Sequence, residues 1–336
     1  MQKKKIYVAY TGGTIGMRPS DKGYVPVKGF LAATVEKMPE FYRPEMPEFV
    51  IHEYDSLIDS SDMDPSHWMQ IAKDIEANYQ QFDGFIILHG TDTMAFTASA
   101  LSFMMDDLDK PVIVTGSQIP LAELRSDGQT NLLNALYIAA NYPIPEVSLF
   151  FNNKLLRGNR SRKTDADGFD AFTSPNYPAL LQAGINIELV AGSVSLPKGN
   201  RLKINEVVPQ PVGVITLYPG ISDKVIRNTL MQPVKALILL SYGVGNAPQS
   251  EGILNELRNA CEQEIMVVNC TQCMHGKVNM EGYATGKSLQ QVGVVSGMDM
   301  TPEAALAKLH YLLSQGLDFD VARKVMSSDI KGELSH

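Results

Sequence analysis

Ile6-Tyr7-Val8-Ala9-Tyr10-Thr11-Gly12-Gly13-Thr14-Ile15-Gly16 runs from an apolar segment straight into a glycine turn. Ile6 to Ala9 reads as a short buried strand, and the paired glycines let the backbone turn sharply and approach a ligand. Thr14 stands at the edge of that turn with a hydroxyl and nothing bulky beside it. Such a hydroxyl can attack a carbonyl once a base removes its proton. Taken alone, the stretch reads first as a plain turn between strand and helix. A second stretch of the same build changes that reading: Gly84-Phe85-Ile86-Ile87-Leu88-His89-Gly90-Thr91-Asp92-Thr93-Met94. Here an apolar run ends in a glycine turn carrying a hydroxyl and a carboxylate side by side. Ligands of parallel α/β sheets bind at the carboxyl ends of the strands. Two strands ending in threonine-bearing glycine turns therefore direct their hydroxyls into one cleft.

The chain has 336 residues, enough for two domains of ordinary size. With 44% hydrophobic and 20% charged residues, its composition is globular rather than disordered. A net charge of −8 argues against a nucleic-acid partner, which needs a concentrated basic face. Lys3-Lys4-Lys5 is the only basic run, and the apolar segment behind it stops at Thr11-Gly12-Gly13, too short for a secretory signal. No apolar stretch approaches membrane-spanning length. Cys261, Cys270 and Cys273 are an odd number, as expected of reduced thiols. Cys270 and Cys273 are spaced like a redox or metal pair but lack the second pair that a zinc site requires. These features point to a cytoplasmic protein without a metal or other cofactor.

Further along, Arg18 to Gly29 reads as a loop, a candidate lid carrying Tyr24, whose phenol is placed to reach back to Thr14. A short helix is expected around Leu31 to Glu36 and a strand from Phe49 to Tyr54, followed by the polar turn Asp59-Ser60-Ser61-Asp62. Asp64-Pro65 caps a helix to about Tyr79, which includes Trp68 as a packing residue. Helix Ala95 to Met105, strand Pro111 to Thr115 ending in Gly116-Ser117-Gln118, helix Asn131 to Ala140 and strand Val147 to Phe151 continue the alternation. Such alternation implies parallel pairing by crossover units. Leu155 to Pro178 reads as a charged loop that matters only if Lys163 turns inward. Proline and glycine then mark residues 191–211 as a linker between an N-terminal domain, 1–190, and a C-terminal one, 212–336. In the latter, strands at Val212 to Leu217, Ala236 to Leu240 and Met266 to Asn269 alternate with helices near Asp223 to Met231 and Ile253 to Cys261. Thr301-Pro302-Glu303 caps a helix to about Leu313. The expected fold is two α/β domains, the larger N-terminal one with a mainly parallel sheet.

Hydrolysis of a side-chain amide requires a nucleophile, a proton acceptor, oxyanion donors and groups that hold the amino acid's charged ends. Thr14 and Thr91 supply candidate hydroxyls, and Asp92 and Lys163 can pair. His89, directly after a buried strand, reads as structural, and no His-Glu-x-x-His pair suggests a metal-bound water. Gly282-Tyr283-Ala284-Thr285-Gly286-Lys287-Ser288 imitates a phosphate-binding loop but is one residue short between its glycines, and Gly12-Gly13-x-x-Gly16 is not a dinucleotide fingerprint. A nucleotide-binding α/β protein is thus the alternative from another class.

The Thr11-Gly12-Gly13-Thr14 and His89-Gly90-Thr91-Asp92-Thr93 turns together resemble the signatures of the bacterial-type L-asparaginases, and the likeness extends over nearly the whole chain. The resemblance implies conversion of L-asparagine to L-aspartate and ammonia through a threonyl ester. It places the nucleophile at Thr14 with Tyr24 beside it, and a proton relay at Thr91, Asp92 and Lys163. It implies that Asp59, Ser60 and Ser61, with Thr91, Asp92 and Ser117, hold the substrate, and that Asn246 reaches the cleft of a neighbouring subunit in a homodimer or dimer of dimers. A second asparagine site of some members matches Leu240, Thr271 and Cys273, but position 240 is basic in at least some of them. The secreted members carry glutamine where Ser61 stands, and their partner-subunit glutamate has no match here. Both departures favour the cytoplasmic branch. A glutaminase-asparaginase of the same fold is the nearest rival; the amidotransferase subunit of this fold usually has an additional N-terminal region, for which Ile6 leaves no room.

Overall fold

The structure, a computed structural model, describes residues 3–21, 23–282 and 284–335. The chain divides into two compact units, residues 1–205 and 206–336.

The first unit begins with β1 (Lys5–Tyr10), buried from Ile6 onward. The expected loop after it is instead a hairpin of β2 (Met17–Ser20) and β3 (Gly23–Pro26), with Pro19 opposite Tyr24 and Met17 opposite Pro26. A two-stranded ribbon has two free edges, so prolines sit in it without breaking a ladder. Helix α1 (Phe30–Val35) and β4 (Glu48–Glu53) follow. Helix α2 (Pro65–Asn78) carries the expected Asp64 cap and proline start, and His67 completes a capping box. Trp68 is buried in that helix. Then come β5 (Gly84–Leu88), α3 (Met94–Met104), β6 (Met105–Asp106), β7 (Val112–Thr115), α4 (Gly128–Asn141), β8 (Val147–Phe151) and β9 (Lys154–Arg157). The charged loop contains a small ribbon of β10 (Arg162–Lys163) and β11 (Phe172–Thr173), and β12 (Leu181–Ala183) and β13 (Ile187–Leu189) end the main sheet. Within the expected linker, β14 (Lys203–Ile204) pairs with β6.

The main sheet has eight strands in the order β13-β12-β9-β8-β7-β5-β1-β4. Strands β4, β1, β5, β7 and β8 are parallel, while β9, β12 and β13 are added antiparallel. Ile6, Val8 and Tyr10 face a core shared with α1 and α4. Tyr7, on the other face, hydrogen-bonds Asp74 of α2. With both faces covered, β5, β7 and β8 are buried throughout, which is why their sequences are unbroken apolar runs. From β1 the chain passes outward to β4, and from β5 it passes the other way to β7. The sheet order therefore reverses between β1 and β5, the position where open α/β sheets bind ligands.

The second unit is a four-stranded parallel sheet of β15 (Val212–Thr216), β16 (Ala236–Ser241), β17 (Met266–Thr271) and β18 (Val295–Ser296). Alternate residues of its strands face two cores. Leu237, Leu239 and Val267 pack with α5 (Asp223–Leu230), α6 (Glu251–Glu262) and α7 (Ala284–Gln291). Ile238, Met266 and Val268 pack with α8 (Pro302–Ser314) and α9 (Phe319–Met326). Thr301 caps α8 through Ala304 N, as expected. The stretch resembling a phosphate loop follows irregular chain and enters α7; its Tyr283 lies outside the described residues. Lys308 and Glu333, both fully buried, form an ion pair, and Lys308 also donates to the Met326 and Ser328 carbonyls. Among the described residues, no helix is long and apolar enough to cross a membrane.

Candidate active site

Three turns meet at the carboxyl ends of β1, β4 and β5. Thr11 ends β1 by bonding the Leu88 carbonyl at the end of β5 twice, through its N–H at 3.1 Å and its hydroxyl at 2.9 Å. Its own carbonyl accepts from Ile58 N at 2.8 Å, which draws in the turn after β4. The turns approach so closely that only glycine fits where they touch. A Cβ on Gly13 would lie 2.4 Å from Gly90 N, and one on Gly90 would lie 2.4 Å from Ser60 Oγ. Gly13 also has φ 92°, a conformation that side chains disfavour. The glycines therefore hold the Thr14, Ser60 and Thr91 turns in one place.

Thr14 opens a short 3-10 turn, Thr14–Gly16, and its hydroxyl has no hydrogen-bond partner among the described residues. Tyr24 is 51% exposed on the hairpin and makes no hydrogen bond to Thr14. Asp59 caps the turn Ser60–Asp62, accepting from Ser61 N at 3.0 Å and Ser61 Oγ at 2.9 Å. Ser60 is buried, and its carbonyl accepts from Thr93 at 2.7 Å, locking this turn to the Thr91 turn.

The charged loop turns Lys163 inward. Pairing of Lys163 with Phe172 in the β10–β11 ribbon sets its direction, and its Nζ lies 2.8 Å from both Thr91 Oγ1 and Asp92 Oδ1. Thr91 is buried and Asp92 exposed, so the cluster spans the boundary between protein and solvent. Thr91 Oγ1 donates in turn to Gln118 Oε1 at 3.1 Å. Sequence reasoning did not single out Gln118 as a site residue. Its Nε2 donates to the Gly168 carbonyl at 3.1 Å, and its N–H is held by the Asp127 carboxylate at 3.0 Å. Gln118 thus couples Thr91 to the loop that carries Lys163. Ser117 is buried with its hydroxyl donated to the Ile119 carbonyl at 2.6 Å.

His89 takes the structural part expected of it. Its Nδ1 is 2.7 Å from the Gly90 carbonyl and its Nε2 is 2.8 Å from Thr97 Oγ1. Burial pushes its pKa down to about 4, so the ring is neutral at pH 7. A carbonyl only accepts, so Nδ1 carries the proton and Nε2 receives that of Thr97. The ring braces the Gly90-Thr91 turn against α3.

The remaining sequence-derived candidates lie in the second unit. Asn246 closes a bridge with Tyr242 and accepts from Thr285 Oγ1 at 2.6 Å. Leu240 is in β16 and Thr271 at the end of β17; the Thr271 hydroxyl donates to the Gly243 carbonyl and accepts from Cys273 N at 3.0 Å. Cys270 is buried and its thiol pushed up to about 12, while Cys273 is exposed.

Comparison with known proteins bears on the family of the chain as a whole. The family model described as "Asparaginase, N-terminal" matches residues 5–194, and that described as "Glutaminase/Asparaginase C-terminal domain" matches residues 211–326. The chain is 65% identical to L-asparaginase 1 of Escherichia coli K12, covering 100% of this chain and 99% of the relative. The crystal structure of L-asparaginase I from Vibrio cholerae superposes with a TM-score of 0.93 at 63% identity, covering 99% of this chain and 100% of that one. The thermostable L-asparaginase of Thermococcus kodakarensis gives 0.88 at 31% identity, with 99% of each chain covered. With both family models matched and whole-chain relatives at this identity, the chain belongs to the asparaginase family.

Proposed function

We propose that the protein is an L-asparagine amidohydrolase working through a threonyl ester, with Thr14 as nucleophile. The observation that carries this reading is Lys163 Nζ, 2.8 Å from both Thr91 Oγ1 and Asp92 Oδ1, with the Thr91 turn packed without space against the Thr14 turn. The Thr14 oxygen attacks the side-chain amide carbon of asparagine, the C–N bond breaks, and the nitrogen leaves as ammonia with the proton taken from Thr14. Water then attacks the ester carbon, its proton passes through Thr91 to the Lys163 side chain acting as the neutral amine, Asp92 stabilises the charge so formed, and the acyl C–O bond breaks as the Thr14 oxygen takes a proton back and aspartate departs. Catalysis through two hydroxyls, one for each half-reaction, explains why two threonine turns are brought together. Asp59, Ser60 and Ser61 hold the amino acid's charged end, Ser117 lines the same cleft, and Tyr24 is brought to Thr14 when the hairpin closes. Asn246 completes the cleft of a partner subunit in a homodimer or dimer of dimers. The three free cysteines support a cytoplasmic location.

A pocket that fixes the amino acid's charged end also fixes its distance from Thr14. The additional methylene of glutamine displaces the amide carbon, and displacement from attack geometry costs on the order of 100-fold. Ammonia release measured side by side should favour asparagine by about that factor in kcat/KM. Comparable efficiency on both amides would identify a glutaminase-asparaginase instead.

A further inference from the structure

Thr285, in the first turn of α7, has no part in the chemistry above, yet its hydroxyl donates to Asn246 Oδ1 at 2.6 Å. The Asn246 backbone is already fixed: its N–H and carbonyl bond Tyr242 in both directions, at 2.8 and 2.9 Å. Asn269, buried in β17, donates to the Gly245 carbonyl at 3.0 Å and holds the turn from beneath. Gln249 ties the two segments further, donating to the Ala247 carbonyl at 3.0 Å and the Thr285 carbonyl at 3.4 Å. What remains free is rotation of the Asn246 amide. A side-chain amide offers an acceptor at one end and two donors at the other, and the end facing outward decides which ligand group it captures. With Oδ1 engaged by Thr285, Nδ2 has no hydrogen-bond partner among the described residues.

We infer that Thr285 is a positioning residue for substrate, turning the Asn246 amide so that its N–H donors meet the α-carboxylate of the amino acid. The inference rests on the reading that Asn246 reaches a partner subunit's cleft. It adds a reason for the α7 start to stay docked on the Asn246 turn.

The test is steady-state kinetics of Thr285→Val, which replaces the hydroxyl by a methyl group of similar size, beside Thr285→Ser, Asn246→Ala and the Thr285→Val/Asn246→Ala double variant. Thr285→Val should raise the asparagine KM about five- to tenfold, the worth of one oriented hydrogen bond, with kcat within about twofold. Thr285→Ser should restore KM. Two truncated analogues separate the ends of the substrate. Succinamate, which lacks the amine, should bind Thr285→Val more weakly by the same factor, whereas 3-aminopropanamide, which lacks the carboxylate, should bind it as it binds the parent. In the Asn246→Ala background, Thr285→Val should add nothing. The reverse analogue pattern would show the amide presented the other way round, and an undiminished effect in the Asn246→Ala background would show that Thr285 acts through the fold; either overturns the inference. An unchanged KM in Asn246→Ala would instead remove Asn246 from the cleft, and the inference with it.

Discussion

His89 is enclosed by protein, and enclosure holds its imidazole down to about 4 against an ordinary value of about 6.5. Above about 6.5 both the folded and the unfolded chain carry it neutral, and its bracing of the Gly90 turn is fully available. As pH falls from there toward about 4, the unfolded chain takes up a proton that the folded site refuses, so stability is lost; below that no more is lost. At about 1.4 kcal/mol per pH unit the whole window is worth on the order of 3 kcal/mol. Denaturant unfolding at pH 7 and pH 5 should therefore show the parent protein losing about 2 kcal/mol more over that interval than His89→Gln. Equal losses would mean that the buried ring takes up its proton over the same pH range as the unfolded chain does. The same enclosure separates the residues of the site by role: His89 titrates away from the working pH and braces, while Lys163 meets solvent and a carboxylate at the cleft edge.

At the scale of elements, function depends on how closely three turns approach. Gly13→Ala would drive a Cβ to 2.4 Å from the Gly90 backbone nitrogen, at a φ of 92°. Backbone cannot yield as a side-chain tip does, so the Thr14 and Thr91 turns must separate. A misplacement of about 1 Å is expected to cost on the order of 100-fold in kcat/KM. Gly184→Ala is the control, since its nearest neighbour, the Asn186 carbonyl, is 3.5 Å from the added Cβ; it should remain within about twofold. These turns were legible in the sequence because strand, glycines and hydroxyl are contiguous in each. So were α2 and α8, whose caps are local signals. The β2–β3 hairpin was not, since Pro19 and Pro26 argue against strand and its pairing draws on no apolar pattern. Lys163 was legible as a residue able to pair with Asp92, but its inward turn was not, because the ribbon that aims it reads in sequence as an ordinary charged loop. Gln118 left no signal: its partners Thr91 and Gly168 lie 27 and 50 positions away, and nothing in its own neighbourhood announces them.

For the whole molecule, the question is whether the second unit regulates the first. The positions matching an effector site offer little for a carboxylate. Leu240 is apolar, and the Thr271 hydroxyl is engaged as both donor and acceptor within the chain. Asparagine saturation should accordingly be hyperbolic, with a Hill coefficient of about 1. A sigmoidal curve that Thr271→Ala abolishes would show that the site works without a basic partner. The central claim, that the two threonines divide one hydrolysis between them, rests on the main sheet as a whole, because the two threonine turns meet where the sheet order reverses between β1 and β5. It is tested most directly by trapping the acyl-enzyme. Thr14→Val and Thr91→Val are mixed with asparagine, quenched in acid, digested and analysed by mass spectrometry. The account predicts an aspartyl adduct on the peptide containing Thr14 in Thr91→Val, where the ester forms and deacylation is slow, and no adduct in Thr14→Val; an adduct on Thr91 in either protein would contradict it.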